Sequence, residues 1–509
     1  MTIDRPEDPY PQLERRFKRL NALAEAAAVL HWDMSAIMPM GGAEARSEQL
    51  AELKAVRHGL LTAPEVGDLL DAAEAKDGDE DSLKGWQPAN LARMRRRWLK
   101  ATALSEDLVV ALSKACSACE TKWRTARADD DFPSVRPALE EVLNLIREAA
   151  AAKGEKQGLS LYDALLDDYE PDGRAADIDP VFDALEAFLP DFLGLVLDAQ
   201  AAKPEAILPE GPFPEQTQKA LGVQFMQALG FDFDHGRLDI SLHPFCGGTP
   251  DDVRITTRYD EADFTSSLMA VLHETGHALY ERGLPKTWRG QPVGEALGMS
   301  MHESQSLLVE MQVCRSPEFL GYAAPIMRAA FGGDLNVGGP SWEPDNLYRL
   351  YTKVEPGFIR VDADEVTYPA HVIMRYKLER AMIEGDMQIA DLPAAWNDGM
   401  QRLLGLTPPG DWEGCLQDLH WYDGAWGYFP TYTLGAMTAA QLFIAAKNNV
   451  PEIAPGIMEG NFKPLFRWLK THVHAKGSLL PAKQLLIEAT GKPLDPEVFK
   501  AHLNARYLA

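Results

Sequence analysis

The chain has 509 residues, 46% hydrophobic and 25% charged, and its 76 acidic against 50 basic side chains leave a net charge of −26. That length can bury large cores, and the composition is that of a soluble globular protein. A field of this sign repels phosphate backbones and anionic lipid, which disfavours nucleic-acid and membrane binding.

The N-terminus, MTIDRPEDPYPQLERRF, is acidic and proline-rich with no apolar core, so no signal peptide is expected. No apolar run approaches the roughly eighteen residues of a membrane span. Residues 10–31 carry Leu13, Phe17, Leu20, Leu23 and Ala27 at three- and four-residue spacings, which predicts a helix. Further helices are predicted near 43–60, 64–76, 87–126, 136–153, 178–201 and 214–229. The polar stretch 74–83 breaks between two of them, and Gly154 and Gly158 end another. Cys116 and Cys119 have C-x-x-C spacing within a helical pattern and read as a buried pair. With Cys246, Cys314 and Cys415 they form an odd, scattered set, which argues for a reducing, cytoplasmic setting.

Midway the period changes. RLDISLHPF (237–245) and DVRITTRY (252–259) alternate like strands, with the turn signal CGGTPD between them, which predicts a β-hairpin or small sheet. Helical patterns resume from about 286, interrupted at 331–346 and 404–414. Lacking repeats or a domain-separating linker, the chain is expected to be mainly α. It reads as one body over 1–509, with a helical part to about 235 and a catalytic part from about 236.

The sheet leads into DFTSSLMAVLHETGHALYERG, a helix predicted from Asp263 to Gly283. His273 and His277, four apart, share a face, with roughly 5–6 Å between Cβ atoms, and can aim ring nitrogens at one cation. Glu274 points about a hundred degrees round, near enough to take a proton from a water that the cation polarises. The pattern can arise by chance on an amphipathic helix. However, Ala270, Val271, Leu272, Ala278 and Leu279 predict burial, and buried imidazoles and carboxylates need partners. A catalytic site keeps three protein ligands and one open position. For the third ligand, GMSMHESQSLLVEMQ (298–312) offers Glu303, with Glu295 and Glu310 as competitors. Ser300-Met-His-Glu303 also fits a capping box, so both readings stay open. No third histidine follows at short spacing, which favours a carboxylate.

These residues resemble the carboxypeptidase Taq family of zinc metallocarboxypeptidases. The resemblance runs through HWDMSAIMPMGGAEAR (31–46), YDALLDDYEP (162–171), HPF (243–245), DVRIT (252–256), HETGH (273–277), HESQS (302–306), IRVDADEVTYPAH (359–371) and LQDLHWYDGAWGYFPTYTLG (416–435). HETGH alone is shared with many peptidases, but the ordered set is far more specific. The resemblance implies a helical fold with a long substrate groove, a homodimer, His273, His277 and Glu303 as zinc ligands, and Glu274 as general base. The chain departs from the family pattern at Leu307 and Val309, where arginine and tryptophan are usual, and at Tyr422 in HWY.

Cutting at a C-terminus requires a local cation to hold the free carboxylate, and the planar fork of arginine suits it. Arg254, Arg258 and Arg360 are candidates, with Arg360 and Arg254 favoured, although Asp362, Asp364 and Glu365 could claim Arg360 in ion pairs. The sheet could hold the peptide by strand addition, with His243 at its rim or else buried as a bonded core histidine. For the oxyanion, Tyr428 and Tyr432 are candidates. The resemblance selects Tyr428, with His302 and His420 as secondary candidates. Asp252 either orients a ligand histidine or serves its turn.

The expected function is a metal-dependent carboxypeptidase of broad specificity, acting on peptides with a free C-terminal carboxylate. Its metal is Zn2+, and Co2+ or Mn2+ is also compatible with two histidines and one carboxylate. The alternatives are a helical oligopeptidase and a non-catalytic scaffold with structural zinc.

Overall fold

A computed structural model describes residues 8–76, 83–332 and 339–508. The breaks expected over 74–83 and 331–346 fall partly outside these residues. Helices dominate, as predicted, from Pro9–Ala36 to Pro496–Tyr507. The helix expected over 87–126 is two, Gln87–Ala101 and Glu106–Asp129. Ser105 accepts the Leu108 N–H and starts the second, a capping signal that unbroken periodicity hid. Gly154 does not end a helix but lies inside Phe132–Gln157, which stops at Gly158.

The small sheet is present, but the two alternating segments do not form its hairpin. It has strands β1 (Gly236–Ile240), β2 (Phe245–Thr249) and β3 (Asp252–Thr257) in the order β1-β3-β2. The two alternating segments pair parallel, with Arg237 opposite Arg254. The antiparallel partner of β3 is β2, the glycine-containing segment read as a turn. Its register sets Cys246 opposite Ile255.

Two large apolar clusters form most of the core, and the HETGH helix belongs to the second of them. One gathers Leu139, Phe182, Ile373, Trp396, Trp421 and Trp426; the other gathers Phe225, Leu272, Leu308, Phe319, Leu442 and Leu465. The Pro430–Asn449 helix serves both, giving Leu434 and Met437 to the first and Leu442 and Phe443 to the second. Val309, at one departure from the family pattern, is buried in the second cluster, and Leu307 packs against it.

After the Met299–Leu307 helix the chain widens into a π-helical turn over Leu308–Val313. Such turns persist where the surroundings hold them. Here Gln312 bonds buried Glu365, which also takes bonds from His502 (2.9 Å), Arg506 (2.8 Å) and Tyr507 (3.0 Å) of the last helix. Burial opposes the charge on Glu365, but Arg506 and His502 outweigh it and hold its carboxyl far below the usual range.

Candidate metal centre

The Phe264–Gly283 helix starts where the sequence places it, with Asp263 accepting the Thr265 N–H at 2.8 Å. It presents His273 and His277 on one face. The Met299–Leu307 helix crosses it closely enough that a Cβ on Gly276 would lie 2.4 Å from the Gln305 carbonyl oxygen. On its other side, a Cβ on Gly435 would lie 2.9 Å from the Glu303 side chain. These two glycines are needed for close approach of helices. Together they press Glu303 against the histidines.

One donor atom from each of His273, His277 and Glu303 lies within 4.8 Å of the others. The Nε2 atoms of both histidines face the carboxylate, at 3.8 Å for His273 and 3.5 Å for His277. Their opposite nitrogens are taken. His273 Nδ1 bonds Glu310 at 2.9 Å, and His277 Nδ1 bonds His302 Nδ1 at 2.6 Å. His302 in turn bonds Glu281 through Nε2 at 2.9 Å. A chain of donors running outward from each ring leaves both Nε2 lone pairs for a cation. The donor set therefore fits a divalent metal ion. Glu310, a competitor for the third ligand in sequence, sits behind His273 and pairs with Arg315. Glu295 pairs with Arg97 instead. The Glu310→Gln substitution is expected to weaken metal affinity by about 10–100-fold, measured by competition with a chelator.

Glu274 is buried, and no protein donor bonds its carboxylate among the described residues. Burial pushes it up to about 7; His273 opposes this and the nearby charge of Glu303 adds to it. Glu303 is held at about 2, because His273 and His277 outweigh its burial. Cys246 of β2 feels both Glu274 and Glu281, so this edge strand runs beside the same helix face.

The Tyr428 and Tyr432 rings pack in a T-shape with centroids 5.2 Å apart, and both lie within the field of Glu303. His420 bonds the Tyr432 hydroxyl at 3.3 Å through Nε2. Arg360 is buried and stands 4.9 Å from the Tyr432 ring. Its acidic chain neighbours do not claim it: it bonds Asp418 through Nε (3.1 Å) and Nη2 (2.8 Å), and Tyr368 through Nη1 (2.8 Å). Three of its five N–H groups are used, which leaves two. Asp418 also takes Arg375, so one carboxylate braces two guanidiniums.

Arg254 is half-buried, forked onto Asp252 and stacked over Trp32 at 4.4 Å. Asp252 thus orients an arginine, and no hydrogen bond among the described residues joins it to His273 or His277. His243 is exposed rather than a core histidine, and Arg258 lies exposed beyond the end of β3.

Sequence reasoning missed Glu281, Tyr368, Arg375, Asp418 and Glu379 as parts of this neighbourhood. Asp418 and Tyr368 lie inside blocks that carried the family resemblance, but nothing in their spacing marks a role. Glu379 is buried and accepts from the Tyr162 hydroxyl (2.7 Å), the Trp421 indole (2.7 Å) and the Gly427 N–H (2.9 Å). It thereby ties down the loop that carries His420 and Tyr428. Burial lifts its carboxyl to about 7, against those three donors and from an ordinary 4.5. Between these values the native chain holds a proton that the unfolded chain releases. This group's contribution to stability is therefore greatest below about pH 4.5 and is lost as pH rises to about 7. In urea unfolding, the stability of the wild type relative to Glu379→Gln is expected to fall as pH rises from about 5 to 7.

The sequence profile of the family described as carboxypeptidase Taq (M32) metallopeptidase matches residues 12–507. "Thermostable carboxypeptidase 1" of Thermus thermophilus is 36% identical over 514 residues, covering 99% of each chain. "Carboxypeptidase 1" of Bacillus subtilis is 34% identical, covering 96% of each. Among solved structures, Trypanosoma cruzi metallocarboxypeptidase 1 superposes with a TM-score of 0.95 at 40% identity, over 98% of this chain and 99% of that one.

Proposed function

The chain belongs to the carboxypeptidase Taq (M32) family of metallopeptidases and is a metal-dependent carboxypeptidase; from that premise we propose that His273, His277 and Glu303 hold the ion and Glu274 is the general base. The carrying observation is the convergence of both Nε2 atoms on the Glu303 carboxylate, with the far side of each ring already bonded. We take the ion to be Zn2+, which suits two imidazoles and a carboxylate. When bound there it supplies Lewis acidity, which polarises the scissile carbonyl and acidifies water.

Glu274 takes the proton of the attacking water and returns it to the departing amine. Its burial and its lack of hydrogen-bond donors suit a base that works near neutrality. Tyr428 donates its hydroxyl to the oxygen that gains charge. The free carboxylate of the substrate lies against the two unused N–H groups of Arg360, with the Tyr368 and Tyr432 hydroxyls nearby and His420 bracing Tyr432. Asp418 holds the Arg360 fork in position before substrate arrives, which lowers the ordering cost of binding. The peptide continues along β2, where Gly247 and Gly248 expose backbone to it, toward Arg254 and His243. His302 acts through His277 rather than on substrate. The protein works as a cytoplasmic homodimer with one catalytic body; five free cysteines support the compartment, and the Pro430–Asn449 helix shared by both large clusters supports the single body.

A peptide with a free C-terminal acid is expected to be cut on the order of 100-fold better in kcat/KM than its C-terminal amide, because the amide loses charge-assisted hydrogen bonds. Equal cleavage of the two would favour an oligopeptidase and remove Arg360 from its role.

A further inference from the structure

A cavity of about 330 Å³ lies between the Leu161–Tyr169 end, the Ala175–Ala201 helix and the Ala482–Thr490 helix, against the start of the Met299–Leu307 helix. Its walls are largely apolar, with Ile178, Val181, Met301, Leu434, Leu486 and Leu494 among them. Two kinds of charge face it. At depth is the carboxyl of Glu170, only 6% exposed. Its hydrogen-bond partner is Ser300, whose N–H it accepts at 3.0 Å. Burial, with the like charges of Asp172 and Asp167 adding, pushes this carboxyl up to about 7. At the rim are Arg174 and Lys483, the latter in an exposed pair with Asp177 at 2.8 Å. Such a pair is worth little and opens readily to a better anion.

A buried carboxyl, an apolar wall and a rim cation complement a molecule with an ammonium, an apolar side chain and a carboxylate. We propose that this cavity is a second small-molecule site that binds a free apolar α-amino acid, the class of product a carboxypeptidase releases, with its ammonium at Glu170 and its carboxylate at Lys483 and Arg174. The site is separate from the metal centre but linked to it. The Met299–Leu307 helix has no side chain of its own capping its start, and Glu170 does that work from another segment. An ammonium that draws on Glu170 weakens this cap one turn before Glu303, so product accumulation lowers turnover. The link, unlike the site, rests on Glu303 as a metal ligand.

The test titrates the metal-loaded enzyme with L-leucine by calorimetry and by initial rates on a peptide that releases a different residue. Expected are saturable binding and inhibition that excess peptide does not relieve. L-Leucinamide and the rim variant Lys483→Ala should weaken binding several-fold, and N-acetyl-L-leucine and glycine should not compete. Ala482→Trp fills the cavity from its rim and should weaken L-leucine binding by about tenfold or more with unchanged turnover in its absence. Identical binding in wild type and Ala482→Trp, or inhibition that peptide fully relieves, overturns the proposal. Binding that Ala482→Trp removes, with no effect of L-leucine on rate, upholds the site and overturns its link to turnover. Metal content of Glu303→Ala reports separately on the ligand reading.

Discussion

Replacing Glu274 by glutamine is expected to lower kcat by about two to four orders of magnitude while leaving the metal bound. The physical reason is separation of roles on one helix. His273 and His277 point at Glu303, whereas Glu274, one residue on from His273, is not among the three residues whose donor atoms converge. Glutamine keeps the size and the buried position but cannot accept a proton. It removes a carboxylate from a cluster that also holds Glu303 and Glu310, and leaves the proposed ligand set of two histidines and Glu303 intact. Metal content and kcat, measured on the same preparation, decide the matter. Full turnover in Glu274→Gln would assign the proton transfer to another group.

The second large effect is loss of the ion itself. Exhaustive chelation, or His277→Ala, is expected to reduce peptide hydrolysis by about 1,000-fold or more, since Lewis acidity at the scissile carbonyl supplies several kcal/mol. It should also lower thermal stability. An ion that binds only the folded chain stabilises it by about 2.7 kcal/mol at a hundred times its Kd. Without it, the Glu274 carboxyl feels the uncompensated charge of Glu303 in a buried site. Re-addition of Zn2+ should restore chelated wild type but not His277→Ala. Undiminished hydrolysis by metal-free protein would be incompatible with the site as described.

How much of this was readable beforehand depended on the range of the interaction. The HETGH helix was legible from end to end, because an N-cap, a period and a terminal glycine act within a few residues. Glu303 was an open choice between ligand and cap. In the structure the cap of that helix is Glu170, more than a hundred residues away, and Ser300 serves as its donor rather than as a cap. The small sheet was anticipated, but its strand partners were misassigned for a different reason. Glycines in β2 read as a turn because their conformational freedom is a local property, whereas pairing with β3 is set by what lies across the sheet. Arg360 was read as a holder of the substrate carboxylate, with its acidic chain neighbours as the competing claim; neither reading anticipated Asp418, which bridges it to Arg375.

By itself, the sequence determined the helical class, the two imidazoles one turn apart and the carboxylate beside them, since each follows from short-range periodicity and residue chemistry. Tertiary structure alone decided which partners stand behind each histidine and which side chains brace Arg360, and it brought Glu303, named from the family resemblance, within reach of both imidazoles. Those choices depend on helices that approach at Gly276 and Gly435, where the absence of a side chain brings remote segments into contact. Spacing along the chain carries no record of that closeness.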